Sequence, residues 1–563
     1  MLVYMIDRPE DIRPRVALVH GYLLRGTGSN VYVCNLAKAL CTEGIPVTLF
    51  SQDPDPNRLD FVSEVVRYRG DKPYLIAQKE TPYPGACRAV KPDIGPILGV
   101  YVRDRYPGFT VREFPEMTSA ELDRYLSGNV WALESEFSRV FPEVIISNHA
   151  LMQPACVARA RRGRGRHLVV LHGSALNFTV SGDPRMGEYA LEGMRDADAL
   201  AAPSEYSVRN LSAVLPQLGN RRVHPVPPGV DLDVFLPRLE FEKAERDDRR
   251  LPGRILGKLQ ESVRAHRGGR GWRVRDCVRR ICKDARSAPE LEDGIAGLEE
   301  RYDPWVPDPD LVEKLASLLV GDEVILYFGK FLHTKGVRIL LASLPLVVMR
   351  RPRARVVAIG FGEDRERIEA GIELLHLGRK DLFEEFFLRG DDTSYLDSLL
   401  LHLSDPPARD AYYRAVRGNM RERFLTTGIL EQADLGSVAG FADLSVAPSV
   451  FPEAFGLVGA EALAAGVLPV LTAGSGFEEV SRVYRGEFSD LLGEEAKLEP
   501  LPRDGELPLR LASRVTDLLG AVTRSSKLRR EIGGRARGLA ERHFGWGRAA
   551  RDLLEIASAV KKR

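Results

Sequence analysis

The sequence predicts an α/β protein built from parallel strand–loop–helix units, and three stretches carry that expectation. Residues 15 to 50, RVALVHGYLLRGTGSNVYVCNLAKALCTEGIPVTLF, read as strand, glycine loop, helix, strand. Val16, Leu18 and Val19 form an apolar run without alternation, as expected of a strand covered on both faces, and Val31 to Leu40 has helical apolar spacing. Residues 324 to 345, VILYFGKFLHTKGVRILLASLP, repeat the pattern, with a Gly-Lys turn and then Lys335-Gly336 opening an amphipathic helix. EVIISNHALMQ (143 to 153) and HLVVLHGSALN (167 to 177) are apolar strands that end in polar residues. Ligands of open α/β sheets bind beyond the carboxyl ends of the strands, which makes Asn148, His149, His172 and Ser174 candidate site residues.

The segment PSVFPEAFGLVGAEALAAG, residues 448 to 466, is the most informative for chemistry. Pro448, Ser449 and Pro452 break regular structure, and Phe455 to Ala465 is rich in helix formers. Glu453 then stands before a helix and Glu461 about two turns inside it. Two carboxylates flanking a helix start with free N–H groups suit a ligand that is hydroxylated at both ends and anionic in the middle. A nucleotide sugar has that shape.

This segment resembles the E-x7-E signature of the retaining GT-B glycosyltransferases of family 4, the group-one transferases. Other elements match in the same order. Lys330 and Lys335 fall on the family's Gly-Arg-x4-Lys-Gly element, with Lys330 where the family has Arg. VHPVPPGVDLDVFLP (223 to 237) resembles the interdomain segment, with Pro228 in place of Asn. ARVVAIGFGE (354 to 363) and FLTTGILEQADLGSVAGFADLSVAPS (424 to 449) resemble the strands before the glutamate motif, and HFGWGRAARDLLEI (543 to 556) resembles the closing helix.

The resemblance implies a GT-B fold of two Rossmann-like lobes with a cleft between them and added helical insertions. Lobe one would span 1–235 on the acceptor side and lobe two 236–545 on the donor side, and a final helix, 546–563, would pack back on lobe one. It further implies a hexosyltransferase-type activity, with a sugar moved from a nucleotide-diphosphate donor to a sugar, lipid-linked or small-molecule acceptor, with retention and without a metal or other cofactor. Lys330 and Lys335 would neutralise the diphosphate, where charge develops on the leaving group. Lysine keeps the charge of arginine but not its planar fork. Glu461 would bind the ribose, and Glu453 the sugar ring. Backbone amides of Phe455, Gly456 and Leu457 would meet the sugar hydroxyls, and base selection would rest on backbone around Thr426 to Leu430. The glycine loop of Gly26 and Gly28 would face the donor phosphates. His172 would line the reacting centre, with Asn148 and His149 on the acceptor side.

Two alternatives belong to other classes. One is a non-catalytic binder of sugar nucleotides or partners on the same fold. The other is an NAD-dependent oxidoreductase, since Gly26-x-Gly28 opens a helix and Asp53 follows the second strand. Against it, Val31 replaces the third glycine, and the loop before Gly26 is too long for the tight turn that motif needs.

Composition agrees with a large enzyme. The 563 residues are 44% hydrophobic, and 80 basic side chains balance 79 acidic ones, so overall charge selects no partner. The six cysteines lack metal-ligand spacing, which makes reduced thiols the expectation. The first residues lack a signal peptide's apolar core, and no run approaches ~20 apolar residues, so a cytoplasmic protein is expected. Charge is concentrated in 249–286, with thirteen Arg or Lys and three acids. Apolar residues there recur at near-helical spacing (Ile255, Leu256, Leu259, Val263; Val274, Val278, Ile281). An Arg-rich helical insertion packed on lobe two is one reading, and the division by Gly268, Gly269 and Gly271 into two short helices favours it. A peripheral contact with an anionic membrane is the other. A smaller basic cluster, Arg159 to Arg166, reads as a solvated loop. Nucleic acid is not expected, because neither patch carries a recognition motif or aromatic platform. Insertions are placed at 238–305 and 372–423.

Overall fold

The computed structural model describes residues 13–26, 28–101, 108–173, 175–237, 250–266, 271–298, 306–389, 394–493 and 496–560. Ser174 lies outside them. The chain divides into two compact units, Met1–Gly229 with Phe544–Arg563, and Val230–His543.

Unit 1 is built on a nine-stranded sheet. Its strands are β1 (Val16–Val19), β2 (Val47–Phe50), β3 (Val62–Arg69), β4 (Lys72–Gln78), β5 (Cys87–Lys91), β8 (Val144–Asn148), β9 (Arg166–Val170), β10 (Ala199–Ala202) and β11 (Val223–Pro225). A separate parallel pair, β6 (Ile97–Val100) and β7 (Thr110–Glu113), lies between β5 and β8 in the chain. The sheet order is β11-β10-β9-β8-β1-β2-β5-β3-β4. All neighbours are parallel except the β3–β4 hairpin at the edge, where Tyr74, Leu75 and Ile76 stay exposed. The apolar runs read from sequence are buried along their whole length in β1, β2, β8 and β10. Helix α1 (Ser29–Thr42) crosses from β1 to β2, α2 (Ser119–Val140) precedes β8, and α3 (Gln153–Arg161) joins β8 to β9. After α4 (Pro184–Asp196), α5 (Glu205–Val214) is capped by Ser204, whose hydroxyl accepts from the Ser207 amide at 3.1 Å.

The last helix, Trp546–Ala559, belongs to unit 1. Trp546, Ala549, Ala550 and Leu553 join the core beneath β1 and α1, and Arg548 donates to the Pro227 carbonyl at 2.6 Å. Gly229 meets this helix so closely that a Cβ there would lie 2.5 Å from the Trp546 Cα. The division after Gly229, rather than at 235, has a physical cause. Val234 is wedged against Gly436, and the Phe235 carbonyl accepts from Arg537, so the segment from 230 onward belongs to unit 2.

Unit 2 holds a five-stranded parallel sheet of β12 (Glu323–Phe328), β13 (Ala354–Ile359), β14 (Phe424–Thr426), β15 (Leu444–Ala447) and β16 (Leu468–Leu471), in the order β14-β13-β12-β15-β16. The basic segment forms α6 (Gly253–Ala265) and α7 (Gly271–Asp284), followed by α8 (Ala288–Ile295) and α9 (Leu311–Ala316). Ile255, Leu256 and Leu259 of α6 and Val274 and Val278 of α7 are buried, and α7 lies against α11 (Arg365–Leu377). The apolar face that a membrane contact would use is thus spent inside the unit. Between β12 and β13 runs α10 (Val337–Arg350). The second insertion lies over it, where the buried Tyr412 hydroxyl donates to the Ala342 carbonyl at 2.8 Å.

The cluster Arg159 to Arg166 is an exposed loop only at 162–164; Arg159 and Arg161 belong to α3 and Arg166 to β9. Arg161 is buried against Asp196 and Asp198, Arg159 pairs with Glu192, and Arg166 donates to the Ala557 carbonyl. Local composition cannot show this, because every partner lies in a distant segment. Among the described residues, no helix is long and apolar enough to cross a membrane.

Candidate active site

In each unit the order of strands reverses between two neighbours, β1 and β8 in unit 1, β12 and β15 in unit 2. Such a reversal splays the connecting loops apart and opens a crevice at the carboxyl edge of the sheet.

In unit 2 the loop after β12 carries Gly329 and Lys330 and ends in a short turn, His333–Lys335. Gly336 follows with φ 71° and starts α10, and a Cβ on it would sit 1.9 Å from the Pro448 carbonyl oxygen. Only glycine allows both that left-handed backbone and that approach. The Val450 amide donates to the Thr334 carbonyl at 3.0 Å, so the loops after β12 and β15 are stitched together. This stitching brings together two of the residues singled out in the sequence. Lys335 Nζ donates to both carboxylate oxygens of Glu453, each at 2.7 Å, and the Ser449 hydroxyl donates to Glu453 Oε1 at 2.7 Å. Both charged groups keep part of their surface open. Lys330 Nζ stands 5.9 Å from the centre of the Phe361 ring, and its carbonyl accepts from the buried Tyr327 hydroxyl.

Phe455 is buried and anchors the loop, and Gly456 turns it at φ 93°, with its α-carbon pressed against the Phe477 ring. The helix Leu457–Ala464 begins there without a side-chain cap, leaving its first amides to be satisfied from outside. Glu461 lies on this helix. Gln432 Nε2 reaches its Oε1 at 3.5 Å, and burial pushes the carboxyl up to about 7 from its ordinary 4.5. Nothing in the sequence assigns a site role to Gln432 or Ser449, although both stand in the quoted segments.

In unit 1 three histidines follow three adjacent strands: His20 after β1, His149 after β8 and His172 after β9. His149 is stacked on His20 at 5.5 Å between ring centres and lies 4.8 Å from His172 and 4.6 Å from Tyr101. Its φ of 73° is unusual for a residue with a side chain, and both its buried ring nitrogens lack a hydrogen-bond partner among the described residues. His172 Nε2 donates to Asn148 Oδ1 at 2.9 Å, and the Asn148 amide donates to the Val19 carbonyl. Asn148 is fully buried, so it orients His172 rather than standing open to a ligand. Burial pulls His172 down to about 3 and His20 to about 4, and lowers His149 well below its usual range. The cluster is neutral at physiological pH. His20 was missed in the sequence, although its place directly after β1 is the signal that marked His149.

The glycine loop before α1 has Gly26 at φ 98° and Gly28 at φ 63°. Asp53, the acidic residue that a dinucleotide site would turn to the ribose, is fully buried. It accepts from the Leu24 and Asp55 amides and pairs with Arg58. That carboxylate is a brace for the loop, and the oxidoreductase reading loses its key residue. Among the described residues, no group of three or more His, Cys, Asp or Glu side chains is arranged to hold a metal.

No protein-family model matches the chain. Spore coat protein SA of Bacillus subtilis is 27% identical over 242 residues, 42% of this chain and 49% of that protein, so the match spans about half of that relative's length. Among solved structures, sucrose-phosphate synthase from Thermosynechococcus elongatus aligns at a TM-score of 0.50 and 16% identity, over 97% of this chain and 98% of the other. A trehalose-6-phosphate protein from E. coli bound with UDP-2-fluoro glucose aligns at 0.51 and 12%, over 98% and 100%. The N-terminal domain of Candida albicans trehalose-6-phosphate phosphatase aligns at 0.50 and 12%, over 99% of each chain. Likeness over nearly the whole chain shows that this protein has the GT-B fold of the glycosyltransferases.

Proposed function

We propose that the protein is a retaining, metal-independent glycosyltransferase of family 4 that takes its sugar from a nucleotide diphosphate. The observation that carries the reading is the Lys335–Glu453–Ser449 constellation beside an uncapped helix start at the carboxyl edge of the unit 2 sheet. A cation, a carboxylate and the first amides of a helix, brought together by two stitched loops, suit a diphosphate joined to a hydroxylated ring. The sugar nucleotide bound by the E. coli neighbour is of the same class.

In this assignment Lys335 exchanges Glu453 for the diphosphate, and Lys330 adds a second charge. Glu453, released, accepts from hydroxyls of the sugar, and the amides of Phe455 to Leu457 donate to it. Glu461 accepts from the ribose. As the bond from the anomeric carbon to the diphosphate oxygen breaks, its electron pair stays on the phosphate, where the two lysines hold it. The acceptor oxygen then bonds to that carbon and passes its proton to the departing diphosphate oxygen. His172, neutral and oriented by Asn148, is assigned a place at the reacting centre, and His149 and the acceptor belong to the unit 1 crevice.

A thermal-shift series with UDP, GDP, ADP and their sugar conjugates tests the donor site. A ligand at ~100 times its dissociation constant adds about 2.7 kcal/mol to stability. One nucleotide is expected to raise the Tm of the parent chain and not that of Glu461→Ala. Release of sugar from the donor is expected to fall ~10²–10³-fold in Lys335→Ala, with the fold intact. A parent chain that binds the donor but never releases its sugar, with or without acceptor, would identify a binding protein instead.

A further inference from the structure

The inserted helix α7 ends one of its arginines in the interior of unit 2, at the base of the loop that follows β14. Arg275 is buried and bonded on every side. Its Nη2 donates to Asp308 Oδ2 at 2.8 Å and to the Thr426 hydroxyl oxygen at 3.1 Å, its Nε to Glu369 at 3.2 Å, and its Nη1 to Asp310. Arg365 donates to Asp308 and Glu369, Lys314 to Asp308 at 2.9 Å, and the Thr426 hydroxyl to Glu369 at 2.7 Å. Three cations and three carboxylates thus meet around one threonine. Burial alone would push the Asp308 and Glu369 carboxyls up; the Arg275, Arg365 and Lys314 charges outweigh it and hold both ionised, with Glu369 at about 2.

The network grips backbone as well as side chains. Lys314 Nζ donates to the Thr426 carbonyl at 2.6 Å, and the Asp308 amide to the Thr427 carbonyl at 2.8 Å. Pro307 bridges to Gly428, whose φ is 74° and whose α-carbon is pressed against Val306 and Asp308. The Gly428 carbonyl in turn accepts from the Gly360 amide, in the turn that leads to Phe361 beneath Lys330. The carbonyls of 426, 427 and 428 are therefore all spent within the unit, and the loop has one shape. It stands at the carboxyl edge of the sheet, on the rim that carries Lys330.

We propose that Arg275 is a positioning residue for nucleotide recognition: from the inserted helix it locks residues 426–428 into the shape that receives the base of the donor. The inference rests on the donor-site reading above and adds the device that sets base preference in this chain. A buried network is a means of holding such a backbone because breaking one member leaves the others unpaired, so the loop is either fully held or released.

The test is calorimetric binding of UDP, GDP and ADP to the full-length parent, Arg275→Met, Arg275→Lys and Lys314→Met, with steady-state kinetics on the preferred sugar donor. The parent is expected to prefer one base. Arg275→Met is expected to bind it about tenfold more weakly, with a narrowed preference among the three. Its KM for the donor should rise while kcat stays near the parental value, and Arg275→Lys should recover part of the loss. A purely structural role would lower the Tm and the folded yield but leave affinity, base preference and KM of the folded protein parental; that result overturns the proposal. If Arg275→Met does not fold, Lys314→Met decides on the same criteria, since it frees the Thr426 carbonyl from the edge of the network. A parent that binds none of the three nucleotides overturns the donor-site reading, and the inference with it.

Discussion

Glu461→Gln separates a carboxylate's role in binding from its cost to the fold. The Glu461 carboxyl is raised from 4.5 to about 7 by burial. Its folded-state value lies above its unfolded one, so its contribution is fully present below about pH 4.5 and is lost as pH rises through about 7. The distance from 4.5 to about 7, at 1.36 kcal/mol per pH unit, sets an upper limit of about 3 kcal/mol. Glu461 is not wholly buried, and screening by water reduces the expected effect to roughly 1–3 kcal/mol. Glutamine keeps the shape and removes the ionisation. The difference in unfolding free energy between parent and variant, from urea titrations at pH 5 and pH 8, should therefore grow by that amount in favour of the variant at pH 8. Nucleotide binding should show the reverse: affinity of the parent rises as pH passes about 7, and the variant binds weakly and without that slope. Stability curves that stay parallel from pH 5 to 8 would refute the argument, because they would mean that Glu461 is ionised throughout.

Other expectations follow from single contacts. Gly336→Ala places a Cβ 1.9 Å from the Pro448 oxygen at a left-handed φ; a loss of roughly 2–4 kcal/mol in denaturant unfolding is expected, together with weaker donor binding as the Glu453 loop is displaced. Arg250 is buried and donates to the Phe441 carbonyl and to Asp443 Oδ2, both at 2.6 Å, while Arg529 keeps the other Asp443 oxygen paired. Arg250→Met should cost about 3 kcal/mol by the same measurement, and a loss under 1 kcal/mol would contradict that pairing. His172, drawn down to about 3, should stay neutral from pH 5 to 9. His172→Asn should then lower activity by the same factor across that range, and a limb near pH 6.5 that vanishes in the variant would show an ionising His172 instead.

What could be read from the chain alone was local. Apolar runs without alternation marked the strands buried on both faces, helical spacing marked α1, and near-helical apolar spacing marked the buried faces of α6 and α7 in the basic insertion. Each follows from the chemistry of a few neighbouring residues. The order of such units also carried the fold, because loops at the carboxyl ends of parallel strands can meet in only a few ways. The tertiary structure decided whom the charges meet. Lys335 and Glu453 are 118 positions apart and become partners only because β12 and β15 are neighbours and Gly336 lets the two loops touch. His20 joins His149 and His172 through the pairing of β1, β8 and β9, and Asp53 is spent bracing a loop 29 positions earlier. Arg161 and Arg275, which composition describes only as part of a basic surface, are drawn inside by carboxylates from distant segments. Periodicity records which face of an element is apolar; it holds no record of which buried charge from another part of the chain will lie against it, and that pairing is what makes the site.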